Sequence, residues 1–240
     1  MCSVRAELSF VRMLKEIGHF IRNGKAAAQL HKQYPRAEFV DIMTSKADEQ
    51  GYAEVRRELV GDLTGRVLDI GCGTGAMFEH YSPSASVEAI EPEEDFLAIA
   101  LPRAAASAGR IHAAEGNGIQ LAFGSGAFDA VVLGFVLCSV PSVKDVLAEA
   151  WRVLRSGGQL RALEHVRSEG AFSGFLMDIT NPFWLRMNGQ GCRWNRNPIR
   201  DIEDTGFHLD DVMAFKRFDT VMPAFPMRRI KAHKVTGDEG

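Results

Sequence analysis

The sequence predicts an α/β fold, a mostly parallel sheet with helices on both faces, and three observations predict it. Val67–Leu68–Asp69–Ile70 is a short apolar run with one acid, the pattern of a strand covered on both faces. It runs into Gly71–Cys72–Gly73–Thr74–Gly75, where alternate glycines let the backbone turn sharply and leave no side chain between it and a ligand. Short apolar runs at 86–90, 110–114, 126–133 and 159–166 then alternate with stretches of helical period, as in βαβ units.

The totals narrow the functional classes. A chain of 240 residues suits one α/β domain with a small appendage. Its formal net charge of −3 offers no basic surplus for neutralising phosphates, so nucleic acid is not an expected partner. Cysteines at 2, 72, 138 and 192 have no C-x-x-C spacing, which argues against a metal site or a disulfide framework and for reduced thiols in the cytoplasm. No run approaches the ~20 apolar residues of a membrane span, and no secretory signal layout opens the chain.

Residues 1–60 read as a helical cap. Leu8, Val11, Leu14, Ile17 and Ile21 recur at helical spacing through Leu30, beside Arg5, Arg12, Lys15, Arg22 and Lys25. Such a basic amphipathic helix either lies on a membrane surface or docks on its own domain, and docking is the favoured reading. Tyr34–Pro35 breaks it, because proline disfavours helix in the preceding residue. A second helical stretch follows from Phe39 to Leu59, broken near Gly51. His19 and His31 reach a cleft only if these helices cover it.

From Thr74 the chain reads as the start of a helix whose free N–H groups point back at the glycine loop. Ser86–Ile90 is the second strand and ends at Glu91–Pro92, with Glu91 placed 20 residues beyond Gly71. There a nucleoside-binding α/β fold presents a carboxylate to vicinal ribose hydroxyls. The loop lacks the Gly-Lys-Ser/Thr of a nucleotide-triphosphate cradle, and its G-x-G-x-G spacing is not a dinucleotide fingerprint. The stretch resembles motif I of the class I S-adenosylmethionine-dependent methyltransferases. That resemblance implies a Rossmann-like, seven-stranded, mostly parallel sheet. It also implies a cofactor site at Asp69, Gly71, Cys72, Gly73, Gly75, Glu91 and Pro92, with S-adenosylmethionine as cofactor. Asp69 is then the acceptor near the cofactor's amino group.

After a helix over 96–106 and the third strand comes Gly116–Asn117–Gly118, where the family carries Gly-Asp-Ala. By resemblance Asn117 accepts from the adenine amino group through its carbonyl, and Gly118 offers backbone to the ring. Phe128–Asp129–Ala130–Val131 matches the fourth strand, with Asp129 structural at its start. Gly134 and Phe135 lie at its carboxyl end, where open α/β sheets bind ligands. A helix over 143–154, the turn Leu154–Gly158 and a fifth strand over 159–166 follow.

Beyond the fifth strand the alternation stops. Residues 167–200 are rich in aromatics and methionine, including Trp184, Met187 and Trp194, and read as a lid over an apolar substrate or as a secondary core. A short helix (201–205), sixth and seventh strands (207–215 and 229–235) and a loose tail (236–240) complete a methyltransferase domain spanning 61–235. Gly71–Ala76, Val136–Val140, Glu164–His165–Val166 and Gly191–Cys192 with Arg196 resemble the alkyl-thiol methyltransferases, and more distantly the ubiquinone/menaquinone C-methyltransferases. The resemblance implies a small lipophilic acceptor, a thiol above others; Cys138, Trp184, Met187 and Trp194 are the candidate residues around it.

Two departures stand out. Glu91 replaces the family's usual Asp, and the family's long apolar amino-terminal anchor is absent, which points to a soluble enzyme. A thiol, with unperturbed pKa near ~8.5, needs little help to ionise. A hydroxyl or carbon acceptor needs a base, and His165 is the placed candidate. Phospholipid N-methylation and a non-catalytic cofactor-binding module are the competing readings.

Overall fold

A computed structural model describes residues 32–188, 191–215 and 226–236, without the side chains of 187 and 188. The basic stretch Leu8–Leu30, His19, His31 and most of the 236–240 tail lie outside the described residues.

The core is a seven-stranded sheet in the order β3-β2-β1-β4-β5-β7-β6. Its strands are β1 (Gly65–Ile70), β2 (Ala85–Glu91), β3 (Ile111–Glu115), β4 (Phe128–Gly134), β5 (Leu154–His165), β6 (Phe207–Phe215) and β7 (Met227–Lys234). Strands β1 to β5 pair in parallel, and β7 runs antiparallel between β5 and β6. Chain order departs from spatial order between β3 and β4, which leaves β1 and β4 side by side. At such a reversal the carboxyl ends of neighbouring strands diverge and open a crevice.

Six helices are described: α1 (Arg36–Ala47), α2 (Ala53–Val60), α3 (Glu94–Ala105), α4 (Val143–Val153), α5 (Ala171–Asn188) and α6 (Pro198–Asp204). Successive strand side chains point to opposite faces. Leu68 and Ile70 of β1 therefore join a core with Val146, Leu147 and Ala150 of α4 and Ile202 of α6. Val67 faces the other way, into a core with Leu59 and Val60 of α2 and Ala100 and Ala104 of α3. The same alternation turns Asp69 toward the α2 side, where an acid must find partners.

Two expectations are corrected. The chain after Thr74 is not an α-helix. The bonds Gly75 N–H to Cys72 O, Phe78 N–H to Gly75 O and His80 N–H to Met77 O are i→i−3 contacts, ending in a 3-10 turn at Phe78–His80. Only nine residues separate Gly75 from β2, too few for a full crossover helix. Second, Leu154–Gly158 is not a turn outside the sheet. It opens β5, pairing Leu154 with Phe128 before a register shift. The 167–200 insertion, for which no secondary structure is expected from the sequence, holds α5, which runs 18 residues and carries Pro182 within it. The break near Gly51 is present as a wide turn over Asp48–Tyr52, with Gly51 at φ 104°.

Candidate active site

The crevice at the carboxyl ends of β1, β2 and β4 is a cleft of about 430 Å³. Asp69, Gly71, Cys72, Gly73, Glu91, Pro92, Asn117, Gly118, Gly134 and Phe135, all read from the sequence as cofactor-binding, line it. Gly75 faces a neighbouring depression with Asp41 and Arg103.

Backbone geometry shapes the glycine loop. Gly71 and Gly73 adopt φ of 68° and 57°, the left-handed region that favours glycine. A Cβ on Gly71 would meet Val136 Cγ2 at 2.8 Å, whereas one on Gly73 meets nothing within 4 Å and would project into open space. Gly71 thus keeps the loop against the β4 exit, and Gly73 keeps a bare backbone toward the cleft. Amide N–H groups of Gly71 and Cys72 donate to Ile90 O at 2.8 and 3.0 Å, fastening the loop to β2.

Two buried carboxylates stand at the wall. Asp69 accepts from the Tyr81 hydroxyl at 2.8 Å. Burial pushes its carboxyl up to about 7, with the Tyr81 hydrogen bond opposing and Glu91 adding to the rise. Glu91 Oε2 accepts from Gly73 N–H at 2.9 Å and Oε1 from Glu93 N–H at 3.1 Å. Burial raises its pKa too, against those two amide donors. Each oxygen keeps a lone pair for a ligand hydroxyl. Cys72, between the acids, has its thiol pushed up by burial and then by Asp69 and Glu91, so it stays protonated.

At the β3 end, Asn117 Oδ1 accepts from Ile119 N–H at 3.1 Å and Asn117 O from Gln120 N–H at 3.1 Å. The side chain first builds its own turn and retains one acceptor position on that oxygen. Opposite, Arg36, Val40 and Thr44 of α1 and Arg56 of α2 line the cleft. Arg103 holds α1 there, with Nη1 on Asp41 Oδ1 and Thr74 O, both at 2.7 Å, and Nη2 on Asp41 Oδ2 at 3.0 Å.

Sequence reasoning gave no role to Glu164. It is fully buried and accepts from Val136, Leu137 and Cys138 N–H at 2.8, 2.7 and 3.2 Å. It thereby satisfies the turn that leaves β4 through Phe135, a non-glycine residue at φ 60°. Its pKa is raised by burial, with these amides opposing. An acid directly after Ala162–Leu163 near the end of a strand was the available signal, because a buried carboxyl requires donors. Tyr81 and Arg56 were missed as well, since partners of Asp69 are set by which face of β1 it occupies.

The acceptor-side expectations are placed elsewhere. His165, Cys138, Trp184 and Trp194 are not among the described residues that line the cleft. His165 packs its ring on Phe135 at 4.8 Å, one layer behind the wall, with Nδ1 3.6 Å from Cys192 Sγ. Trp184 of α5 stacks on Trp194 at 4.8 Å and 6°, and Trp194 Nε1 donates to Met177 O at 2.9 Å. The Met187 side chain lies outside the described residues.

Comparison with known proteins agrees with this geometry. A family model described as a methyltransferase domain matches residues 68–162. Human thiol S-methyltransferase TMT1B is 33% identical over 180 residues, covering 69% of this chain and 72% of that protein. Human thiol S-methyltransferase TMT1A is 34% identical over 188 residues, covering 71% and 76%. The demethylmenaquinone methyltransferase of Lactococcus lactis is 37% identical over 111 residues, 44% of each chain. Among solved structures, the YcgJ protein of Bacillus subtilis superposes with a TM-score of 0.62 at 15% identity, covering 77% of this chain and 98% of that one. A geranyl diphosphate methyltransferase superposes with a TM-score of 0.59 at 18% identity, covering 78% and 86%. The sheet order, the cleft wall and these relatives together establish that the chain belongs to the class I S-adenosylmethionine-dependent methyltransferases.

Proposed function

We propose that the enzyme methylates a small lipophilic thiol. The observation that carries this reading is the make-up of the cleft: among its described lining residues there is no histidine, lysine or tyrosine. The potential bases among those residues are the carboxylates Asp69, Glu91 and Glu93. In this reading Asp69 and Glu91 are engaged by the cofactor, and a thiol, more acidic than a hydroxyl or carbon acceptor, depends least on a dedicated base. Val40, Met77, Phe96, Ile119, Phe135, Val136 and Val140 give the cleft apolar surface suited to a lipophilic acceptor. Relatives at 33–34% identity that carry the name thiol S-methyltransferase support the same acceptor class.

The cofactor wall fits the family's cofactor. Gly73 leaves room for a ligand against bare backbone, and Glu91 has lone pairs free for sugar hydroxyls. Asp69, in its ionised form, attracts an ammonium group, and Asn117 retains an acceptor for an exocyclic amine. When bound, S-adenosylmethionine supplies an electrophilic methyl group, so the protein's work is to orient the acceptor and exclude water, worth roughly 7–11 kcal/mol in favourable cases. His165, in this reading, supports Phe135 rather than moving a proton.

Transfer of labelled methyl to a panel of alkyl thiols, phenols, amines and phospholipid vesicles tests the proposal. Alkyl thiols should be methylated fastest, with rate rising as pH approaches the thiol pKa. Faster labelling of phenol or lipid would sink the thiol reading, and cofactor binding without any transfer would favour a non-catalytic module.

A further inference from the structure

Behind the cleft wall, three metal-ligating side chains from separate parts of the chain converge. Cys138 comes from the turn after β4, His165 from the end of β5, and Cys192 from the segment after α5. The two Sγ atoms and a ring nitrogen of His165 all lie within 4.8 Å of one another. Cys138 and Cys192 are only 2% and 7% exposed, so the group is enclosed rather than displayed on the surface.

The dimensions suit a tetrahedral thiophilic ion. Zn–S near 2.3 Å and Zn–N near 2.0–2.1 Å place sulfur and nitrogen about 3.5 Å apart across the metal. Cys192 Sγ and His165 Nδ1 are already 3.6 Å apart. Since all three ligand atoms lie within 4.8 Å of one another, the sulfur–sulfur edge of such a site is reached by closing about 1 Å at most, within reach of cysteine χ1 rotation.

The surrounding backbone holds the ligands in place. Arg193 N–H donates to Cys138 O at 2.7 Å, and Arg167 N–H donates to Arg196 O at 2.8 Å. The Arg196 guanidinium donates to Leu137 O. Glu164, next to His165, accepts from Cys138 N–H. Bonds of this kind orient ligands before a metal arrives.

We infer that Cys138, His165 and Cys192 form a binding site for one Zn²⁺. Three protein ligands leave a fourth tetrahedral position for water or a small thiolate. The bound ion fastens segment 191–197 to the 135–140 turn, four of whose residues (Phe135, Val136, Ser139 and Val140) wall the cofactor cleft. Metal occupancy therefore couples the segment after α5 to the cleft. The site is separate from the cofactor wall and does not depend on which acceptor the enzyme takes.

Co²⁺ titration of the reduced, metal-stripped, full-length protein tests it. One equivalent should bind, with a sulfur-to-cobalt charge-transfer band and intense tetrahedral d–d absorption, and Zn²⁺ should displace it. Cys138→Ser and Cys192→Ser should each weaken binding by at least the ~10–100-fold typical of disturbing a metal site, and His165→Gln should weaken it and alter the spectrum. Cys72→Ser should keep the parent spectrum. In the parent, Zn²⁺ should also slow amide exchange in 191–197. Absence of stoichiometric binding by the parent protein overturns the inference whatever the variants do. So does a cobalt spectrum indifferent to all three substitutions, or a Cys138–Cys192 disulfide that persists under reductant.

Discussion

At the scale of single residues, the β4 exit turn rests on one side chain. Glu164 takes three backbone N–H groups in a site without water access, and nothing else in the described structure accepts from them. Glu164→Ala strands all three. Each unsatisfied buried donor costs about 1–3 kcal/mol, so the variant should lose at least ~3 kcal/mol. Glu164→Gln keeps one accepting oxygen but turns an amide donor toward a backbone N–H, and should fall between the two. Urea unfolding, read as a shift in midpoint at constant slope, measures both. An alanine variant as stable as the parent would show that the turn satisfies its amides in another way. The wall of the cleft was legible in the sequence because Asp69, Gly71, Gly73 and Glu91 sit on one strand, the loop after it and the end of the neighbouring strand, which backbone topology brings together. Glu164, Tyr81 and the Cys138–His165–Cys192 group were not legible, because their partners lie 12 to 54 positions away along the chain.

At the scale of elements, α1 matters to the cleft through the way it is attached. It supplies Arg36, Val40 and Thr44 to the lining, and the Arg103 guanidinium clamps Asp41 of α1 to the Thr74 carbonyl of the glycine loop. The bidentate pair is half-exposed and contributes only modestly to stability. Its larger effect is on order: with Arg103→Ala, α1 loses its tie to the glycine loop, keeps the Arg36–Glu93 ion pair, and sits more loosely over the cleft while the sheet stays folded. Cofactor affinity should drop by about 10-fold, equivalent to ~1.4 kcal/mol, with little change in thermal midpoint. Calorimetry beside a thermal melt separates these effects, and unchanged affinity would mean that α1 plays no part in binding. Strands were easier to read than their connections. The runs at 67–70 and 128–133, each with a single acid, carry apolar residues to both faces, which few other contexts tolerate. The stretch after Gly75 has helical polarity but lies within a nine-residue span, and length overrode pattern there.

At the scale of the whole molecule, two acids are buried toward the carboxyl ends of β1 and β2, and that arrangement ties stability to pH. The Asp69 carboxyl is raised to about 7 in the folded protein, chiefly by burial, from an ordinary value of 3.8 when unfolded. Folding then favours the protonated acid. The cost of keeping Asp69 is absent below pH ~4, grows as pH rises toward 7, and is constant above that. Relative to Asp69→Asn, the parent without cofactor should therefore lose stability progressively between pH 4 and 7. Binding should run the other way. In the proposed binding mode an ionised Asp69 attracts the cofactor's ammonium group, so the parent's affinity should climb through pH 7, while Asp69→Asn should bind weakly with a flatter profile. Thermal melts from pH 4 to 8, repeated with and without cofactor, read both trends in one experiment. Parallel curves for parent and variant without cofactor would show that Asp69 is ionised throughout, and that the buried acid is held by its partners rather than by its proton.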